Sequence, residues 1–587
     1  MISKLFQFKG GIRVPHYKDI SNQESVTPAK IPSRLVLPLH QHIGEAAEPC
    51  VNIGDQVLKG QKIANANGYV SAPIHAPTSG IIEDIGDYPI AHPSGMSALC
   101  IVIQPDGKDQ WAELESRAKD YTSIDPSHLR NIIRRAGIVG LGGAGFPTFI
   151  KHNPGPNGSV DTLIINGSEC EPYITCDDAL MRERADEIVC GILIIKHALN
   201  AKRVVIAVED NKPEAFQSIK KALDEFDEKT IEAVQIPTLY PAGSEKQLIY
   251  TITGKEVPKN SLPIHISVVC QNVGTTAAVY RAIHHGEPLI SRYVTITGDI
   301  GQPKNLEVLF GTPIEELVEQ CGGVKGTVRR LIVGGPMMGF AMHQLNLPVI
   351  KTTNCVLIDA ESSKVFRERE FAMPCIRCGS CADACPIGLV PQQLYWHSKA
   401  QEFDKAQDYH LYDCIECGCC DYVCPSKIPL VQYYRFAKAE IWKREQETQK
   451  ADTARQRHEF KQFRVEREKA EKAEKHRQKK AALEAKTNAK KDDTKDGVKD
   501  DKSDPKKAAI LAAMERAKAK KAEAKTKPQN TDNLTDAQKH LIEKIDARRT
   551  ERRAAESKLP AGKEDERRSE RREAESSRET PNKDPKE

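Results

Sequence analysis

Aromatic side chains are scarce in this sequence, 5% of 587 residues, and they stop altogether at Phe463; cysteine stops at Cys424. A stretch without aromatics, rich in Lys, Glu, Ala and Arg, cannot bury a core of its own. Residues 441–587 are therefore expected to form a charged, partly helical or disordered tail, with the globular content before them. No apolar run reaches the roughly eighteen residues that a membrane span needs, which excludes a spanning helix. The opening MISKLFQFKGGIRVPHYK has no long apolar core and no small-residue cleavage site, so no secretory signal is read there. A cytosolic setting with reduced thiols is expected. An excess of one charge is missing too: 86 Lys and Arg against 82 Asp and Glu leave +4, which gives no case for nucleic acid.

What the chain does have is cysteine, 17 in all, nine of them between Cys375 and Cys424. In a reducing setting that clustering argues for metal or redox chemistry, not disulfides. CIRCGSCADACP runs C-x₂-C-x₂-C-x₃-C-P through Cys375, Cys378, Cys381 and Cys385; CIECGCCDYVCP repeats it through Cys414, Cys417, Cys420 and Cys424. This is the bacterial-ferredoxin run, in which the fourth cysteine serves the other cluster. Three closely spaced thiolates hold three irons of a cubane, and the fourth iron is reached from elsewhere. The spacing thus assigns Cys375, Cys378, Cys381 and Cys424 to one [4Fe–4S] cluster, and Cys414, Cys417, Cys420 and Cys385 to a second. Cys419 is surplus and is expected to be an unligated thiol nearby. A zinc site would show two C-x₂-C pairs and no Cys-Pro endings.

Upstream, the chain changes character several times. Residues 1–110 form an N-terminal region that from Leu37 to about Cys100 is dense in Gly and Pro, and there VNIGDQVLKGQKIA and GYVSAPIHAPTSGIIEDI alternate as a small all-β unit does. Its spacing resembles the barrel-sandwich of biotinyl and lipoyl carriers, yet SAPIHAPTSG lacks the lysine they need, so packing or docking is expected of it. From 120 to 285 strands and helices alternate. DPSHLRNIIRRAG carries an aspartate cap and an early proline; TLIING, RVVIAV and IEAVQI are strands; DDALMRERADEIVCGILIIKHAL is one long helix; PEAFQSIKKAL and GSEKQLIYTIT are further helices. A largely parallel sheet follows. Residues 286–350, with YVTITGDIGQPKNLEVLF, resemble a soluble-ligand-binding β-grasp module, closed by RRLIVGGPMMG; 365–440 hold the cysteines. In the tail, KKAAILAAMERAKAKKAEAK has a thin apolar stripe and reads as a solvated helix or a docking helix.

The run GIVGLGGAGFPTFIKH follows a helix, whereas a Rossmann fingerprint follows a strand. On its own it is a loop permitting close backbone approach to an anionic or planar ligand, or simply a tight turn. With NGSECEPYITCDD, YPAGSEKQL and CQNVGTTAAV it resembles the flavin- and NADH-binding subunit of respiratory complex I. That resemblance implies a cradle for FMN and then NADH. Gly140, Gly142, Gly143, Ala144, Gly145 and Phe146 match its glycine loop, and Lys151 a lysine beside the cofactor phosphates. Asn166, Ser168, Glu169 and Glu171 match its acidic strand end, Tyr240, Gly243, Ser244 and Glu245 the next loop, Asn272 and Thr275 the last. Ser168 and Ser244 stand where that family prefers acids.

The complex I subunit ends in a single-cluster motif and lacks the N-terminal β unit. The full order here is barrel-sandwich, Rossmann-like α/β domain, β-grasp module, two-cluster ferredoxin-like domain and charged tail. It is similar to the C subunit of the Rnf (or Rsx) electron-transport complex, on FKGGIRVP, SAPIHAPTSG, GLGGAGFPT, YPAGSEKQL and CIECGCCDYVCPSKIPLVQYYR. The resemblance implies a peripheral subunit on the cytoplasmic side of the inner membrane, among integral and peripheral partners. It also implies an ion-translocating oxidoreductase that moves electrons between NADH and a ferredoxin-type carrier. Two rivals stand beside it: a docking and relay subunit without a working flavin site, and a soluble cobalamin reductase of similar make-up. His40 and His42 are expected to be a surface pair on a strand, His284 and His285 a helix end, and Cys170, Cys176, Cys190 and Cys270 small packing groups.

Overall fold

The structure is a computed structural model that describes residues 4–114, 120–153, 155, 159–226, 228–259, 261–361 and 371–489, with side chains in the last helix followed to residue 484. The chain divides into two units, Met1–Phe460 and Lys461–Glu587. In the second unit every described side chain is exposed, as a sequence without aromatics past Phe463 requires. The segment KKAAILAAMERAKAKKAEAK lies outside the described residues.

At the centre of the first unit is a parallel sheet of four strands, in the order Ile231–Ile236, Arg203–Glu209, Thr162–Gly167, Val268–Asn272. Leu163, Ile164 and Ile165 are all fully buried, because helices cover both faces and leave no polar side to alternate with. The helix Pro126–Arg135 begins as its sequence dictates, with the Asp125 carboxylate accepting from the Ser127 N–H and proline in the first turn. The expected long helix is in fact two, Cys176–Glu183 and Ala185–Leu199. Arg184 leaves helical geometry at the break (φ −132°), and its guanidinium donates to Tyr293, Glu187 and Glu307. Helical periodicity carries no signal of that long-range network.

The N-terminal β unit pairs a four-stranded sheet (Leu35–Pro38, Ser97–Pro105, Gly80–Pro89, Gln56–Val57) with a three-stranded one (Glu48–Pro49, Lys62–Asn65, Ile74–His75). The segment SAPIHAPTSG packs inward. A Cβ at Gly137 would lie 2.6 Å from the Pro73 carbonyl, and the buried Lys351 amine donates to both Pro73 and Gly137 carbonyls, at 3.0 and 2.7 Å. His40 and His42 do not form a surface strand pair. They follow the strand Leu35–Pro38, His40 is exposed, and His42 is buried with its Nε2 accepting from the Ala72 N–H. Burial pulls the His42 imidazole down to about 4.

A third, six-stranded mixed sheet runs Thr27–Pro28, Lys304–Leu309, Ser291–Gly298, Cys355–Ala360, Val328–Val333, Phe340–Met342. Its fourth member lies past residue 350, the end expected for this module from the sequence; Cys355–Ala360 is buried throughout and pairs parallel to Ser291–Gly298. The segment FKGGIRVP, ahead of the strands of the β unit, makes its backbone bonds elsewhere. Phe6 N–H donates to Thr251 O, Gly11 N–H to Ala384 O, and Ile12 exchanges two backbone bonds with Tyr240. It is a strap across the α/β domain and the cysteine lobe. Gly10 (φ +65°) has no room for a side chain, since a Cβ would meet the Cys385 carbonyl at 2.6 Å.

The cysteine lobe is built from short helices, Ser380–Asp383, Pro391–Lys399, Phe403–Asp408 and Cys419–Tyr422, closed by the start of Leu430–Ala489. Its small core comprises Leu394, Phe403, Leu411, Val431 and Tyr434 among others. The pattern at His284 and His285 agrees with expectation: they close a helical turn, Arg281–His285, that stops at Gly286 in the left-handed region.

Candidate cofactor cleft and cysteine centres

A cleft of ≈ 540 Å³ opens where the parallel strands end, within the range of small-molecule sites. Gly140, Gly142, Gly143, Phe146, Lys151, Asn166, Glu169, Glu171, Tyr240, Gly243, Glu245 and Asn272 all line it, with Ala144, Ser168 and Ser244. The strand ends deliver most of them: Asn166 and Gly167 finish Thr162–Gly167, and Asn272 finishes Val268–Asn272. Ligands gather at such carboxyl ends because two neighbouring loops diverge there.

Two expected residues stand behind the wall. Thr275 is fully buried, and its Oγ1 accepts from the Leu141 N–H at 2.9 Å, fixing the glycine loop. Gly145 (φ +64°) turns that loop where a Cβ would meet Thr352 at 2.7 Å.

The polar groups of the cleft divide into committed and uncommitted ones. Glu169 Oε1 accepts from the Asp177 N–H (2.8 Å) and Oε2 from the Asp178 N–H (3.3 Å), so its charge sits at a helix start. Glu171 Oε1 accepts from the Met337 and Met338 N–H groups at 2.7 and 3.0 Å, tying the loop GGPMMG to the rim. Burial pushes the Glu171 carboxyl up despite those donors. Lys151 Nζ pairs with Glu245 Oε1 at 2.6 Å and donates to Cys270 O at 3.0 Å. Burial works against the Lys151 charge, but Glu245 outweighs it and the ammonium stands above its usual value. Asn166 bridges Gly243 O and the Ser168 N–H. The buried Oγ of Ser168, a residue of the cleft wall, has no hydrogen-bond partner among the described residues. Buried orphans of this kind call for a ligand or water. A Cβ at Gly243 would meet Ser168 O at 2.6 Å, so only glycine lets these two loops close. Space, the orphaned Ser168 hydroxyl and glycine walls fit a planar polar cofactor such as a flavin.

The cysteines fall into two small cavities. Cys375, Cys378, Cys381 and Cys424 line one; Cys385, Cys414, Cys417 and Cys420 line the other, as the crossed spacing requires. Each set supplies four thiols and no carboxylate or imidazole, a donor set suited to an iron–sulfur cubane. In the second, the Leu389 N–H donates to Cys385 Sγ at 3.4 Å. Cys419 is fully buried and lines the second cavity as a fifth thiol. The positions differ in exposure: Cys378 is exposed, whereas Cys417 and Cys420 are buried.

The cleft and the second cysteine cavity share a wall. Ile415 lines both. Tyr240 lines the cleft, is 2% exposed, and donates its hydroxyl to Cys417 O at 2.7 Å. Ile12, Val14, Ala384 and Cys419 pack with Tyr240 between them.

Several wall residues carry no mark in the sequence. The loop Gly334–Phe340 and the segment Ile350–Asn354 come from distant parts of the chain, and only the glycines of the first hint at it. Asp177 stands in the segment NGSECEPYITCDD but without a spacing cue. Cys170, expected to be a packing group, lines the cleft; burial raises its thiol above the usual range.

Residues 6–108 match the RnfC barrel sandwich hybrid domain, 133–281 the Nuo51 FMN-binding domain, 293–341 the SLBB domain and 374–428 the 4Fe-4S dicluster domain. The chain is 47% identical over 522 residues to the C subunit of the ion-translocating oxidoreductase complex of Vibrio cholerae, covering 89% of this chain and 65% of that protein. The corresponding protein of Erwinia tasmaniensis is 43% identical over 91% of this chain and 63% of its own length. That of Yersinia pestis is 46% identical over 81% of this chain and 76% of its own length. The chain thus spans just under two thirds of the length of the first two relatives. Among the described residues no helix is long and apolar enough to cross a membrane. On the strength of that identity and of its four matched domains, the chain belongs to the family of ion-translocating oxidoreductase complex C subunits.

Proposed function

We propose that this chain takes electrons from NADH in the cleft and delivers them to two [4Fe–4S] clusters in the cysteine lobe. When bound, FMN accepts an electron pair as hydride and releases single electrons, and each cluster carries one at a time. The chain's own residues supply position and insulation. Gly140, Gly142, Gly143 and Gly243 let backbone approach the cofactor ring, while Asn166 and Asn272 fix the strand-end loops. Lys151 lines the cleft with two of its three ammonium donors engaged, by Glu245 and by Cys270 O, and would offer the third to a phosphate. Cys375, Cys378, Cys381 and Cys424 hold one cluster; Cys414, Cys417, Cys420 and Cys385 hold the other, beside the cleft.

The observation that carries this reading is the shared wall at Tyr240 and Ile415. A docking protein without redox traffic has no need to abut a cofactor cleft on a cysteine cavity. In the whole assembly the chain serves as the peripheral, cytoplasm-facing member of an inner-membrane complex, whose other members couple electron flow between NADH and a ferredoxin-type carrier to ion movement. Anaerobic reconstitution tests the reading: FMN, about eight irons per chain and bleaching of the flavin by NADH are expected. Iron without flavin or NADH response leaves a conduit only.

A further inference from the structure

NADH brings two electrons and one proton as hydride, whereas a cluster takes electrons alone. Each pair that leaves the cleft for the clusters therefore strands one proton behind.

The cleft has one carboxyl group with a second outlook. Asp177 lines the cofactor cleft and also a separate cavity of ≈ 360 Å³, and among the described residues it is the one that both share. The second cavity is roomy enough for many waters. Its lining is largely apolar, with two ion pairs, Lys59–Asp109 and Arg281–Glu307, offering water polar partners. The two oxygens of Asp177 meet different neighbours. Oδ2 accepts from Asn272 Nδ2 at 2.7 Å, and Asn272 lines the cleft. Oδ1 lies toward Gly274, which lines the second cavity and where a Cβ would approach it to 3.6 Å. A carboxylate oxygen of Glu169 stands within 4.8 Å of one of Asp177. Two carboxylates so close hold a proton between them more readily than either alone.

We propose that Asp177, held by Asn272 and paired with Glu169, is the relay that carries this proton from the redox cleft to water in the second cavity; the proposal rests on the redox reading above. The balance closes: hydride enters, one electron goes to each of two clusters, and H⁺ converts the Asp177 carboxylate to the acid. The acid then returns to carboxylate by giving H⁺ to water. Burial, and then the neighbouring Glu169 charge, raise the Asp177 carboxyl above the ordinary aspartate range; Asn272 and the more distant Arg292 and Lys212 pull the other way. Those groups come from the turn after Thr162–Gly167, the strand Ser291–Gly298, the turn at Lys212 and the helix start at Asn272.

The experiment uses the full chain loaded with FMN and clusters, with Asp177→Asn and Ala278→Leu as variants. Ala278 lines only the second cavity, so a leucine there obstructs the exit and leaves the cleft intact. Infrared difference spectra on reduction by NADH are expected to show a protonated-carboxyl band, shifted in D₂O and absent from Asp177→Asn. Stopped-flow is expected to show cluster reduction in Asp177→Asn slowed on the order of 100-fold relative to the flavin bleaching of the same variant. That slowed step should also lose its pH dependence and solvent isotope effect. Ala278→Leu keeps the band and slows the same step several-fold. Should both variants reduce their clusters at the wild-type rate with an unchanged isotope effect, the relay is wrong while the redox reading stands. A wild-type chain whose flavin NADH does not bleach overturns the reading beneath it.

Discussion

The cofactor cleft and the cysteine lobe are neighbours with opposite constructions. The lobe draws its eight cluster thiols from one stretch, Cys375 to Cys424, with a core of its own around Leu394, Phe403 and Tyr434. The cleft draws its walls from the glycine loop, three strand ends, the loop Gly334–Phe340 and the segment Ile350–Asn354. Local spacing alone therefore defines the lobe, whereas the cleft exists only once the α/β domain and the β-grasp module are packed together. A local site tolerates damage elsewhere in the fold, and a composite site does not.

The largest effect that sharpens this contrast is expected at the crossed sulfurs. Cys385→Ala should remove the cluster beside the cleft and spare the other, dropping iron from about eight to about four per chain. Cys419→Ala should keep the full complement, and iron analysis with EPR of the reduced chain checks both. If Cys385→Ala instead empties the cavity of its own motif, the crossing is wrong. Gly243→Ala comes next. A Cβ 2.6 Å from Ser168 O forces the two cleft loops apart, and FMN affinity is expected to fall at least roughly tenfold, about 1.4 kcal/mol.

A smaller effect probes the joint between the sandwich, the glycine loop and the β-grasp module. Lys351 is 1% exposed, and burial lowers its amine from 10.5 to about 7. Between those values the unfolded chain binds the extra proton, so stability should climb as pH rises from 7 toward 10.5. The change is a few kcal/mol at most, and Lys351→Met should flatten it. Denaturation of both proteins across that window decides; equal slopes would mean that the amine stays charged against the carbonyls of Pro73 and Gly137. The smallest effect is expected from Tyr240→Phe. Losing the hydrogen bond to Cys417 O costs about 1 kcal/mol. It should also shift the potential of the adjacent cluster and not that of the remote one, which a redox titration followed by EPR resolves.

What could be read from the sequence follows the same divide. The cysteine runs were legible because three thiols of each set lie within a few residues and a Cys-Pro marks the fourth, and the strands TLIING, RVVIAV and IEAVQI because an unbroken β-branched run between turns has few other fates. The glycine loop and the strand ends were legible only through resemblance to a known family. Nothing local marked the break at Arg184, which follows Tyr293 and Glu307 more than a hundred residues on. Nothing local distinguished exposed His40 from buried His42, whose partner is the Ala72 N–H. The strand Cys355–Ala360 reads as apolar, but its place in the sheet depends on pairing with Ser291–Gly298. Glu169 was legible only as part of the strand end and Asp177 not at all; only the folded loops bring the two acids together and give Asp177 two cavities to line.

The central claim is that cleft and lobe form one electron path through the wall at Tyr240 and Ile415. The most direct measurement mixes the anaerobic, reconstituted full chain with a single equivalent of NADH and freezes it for EPR at intervals. The account predicts that flavin bleaching is followed by signals from the reduced clusters, the one beside the cleft first. Clusters that stay oxidised while the flavin is reduced, yet accept electrons readily from dithionite, would contradict it.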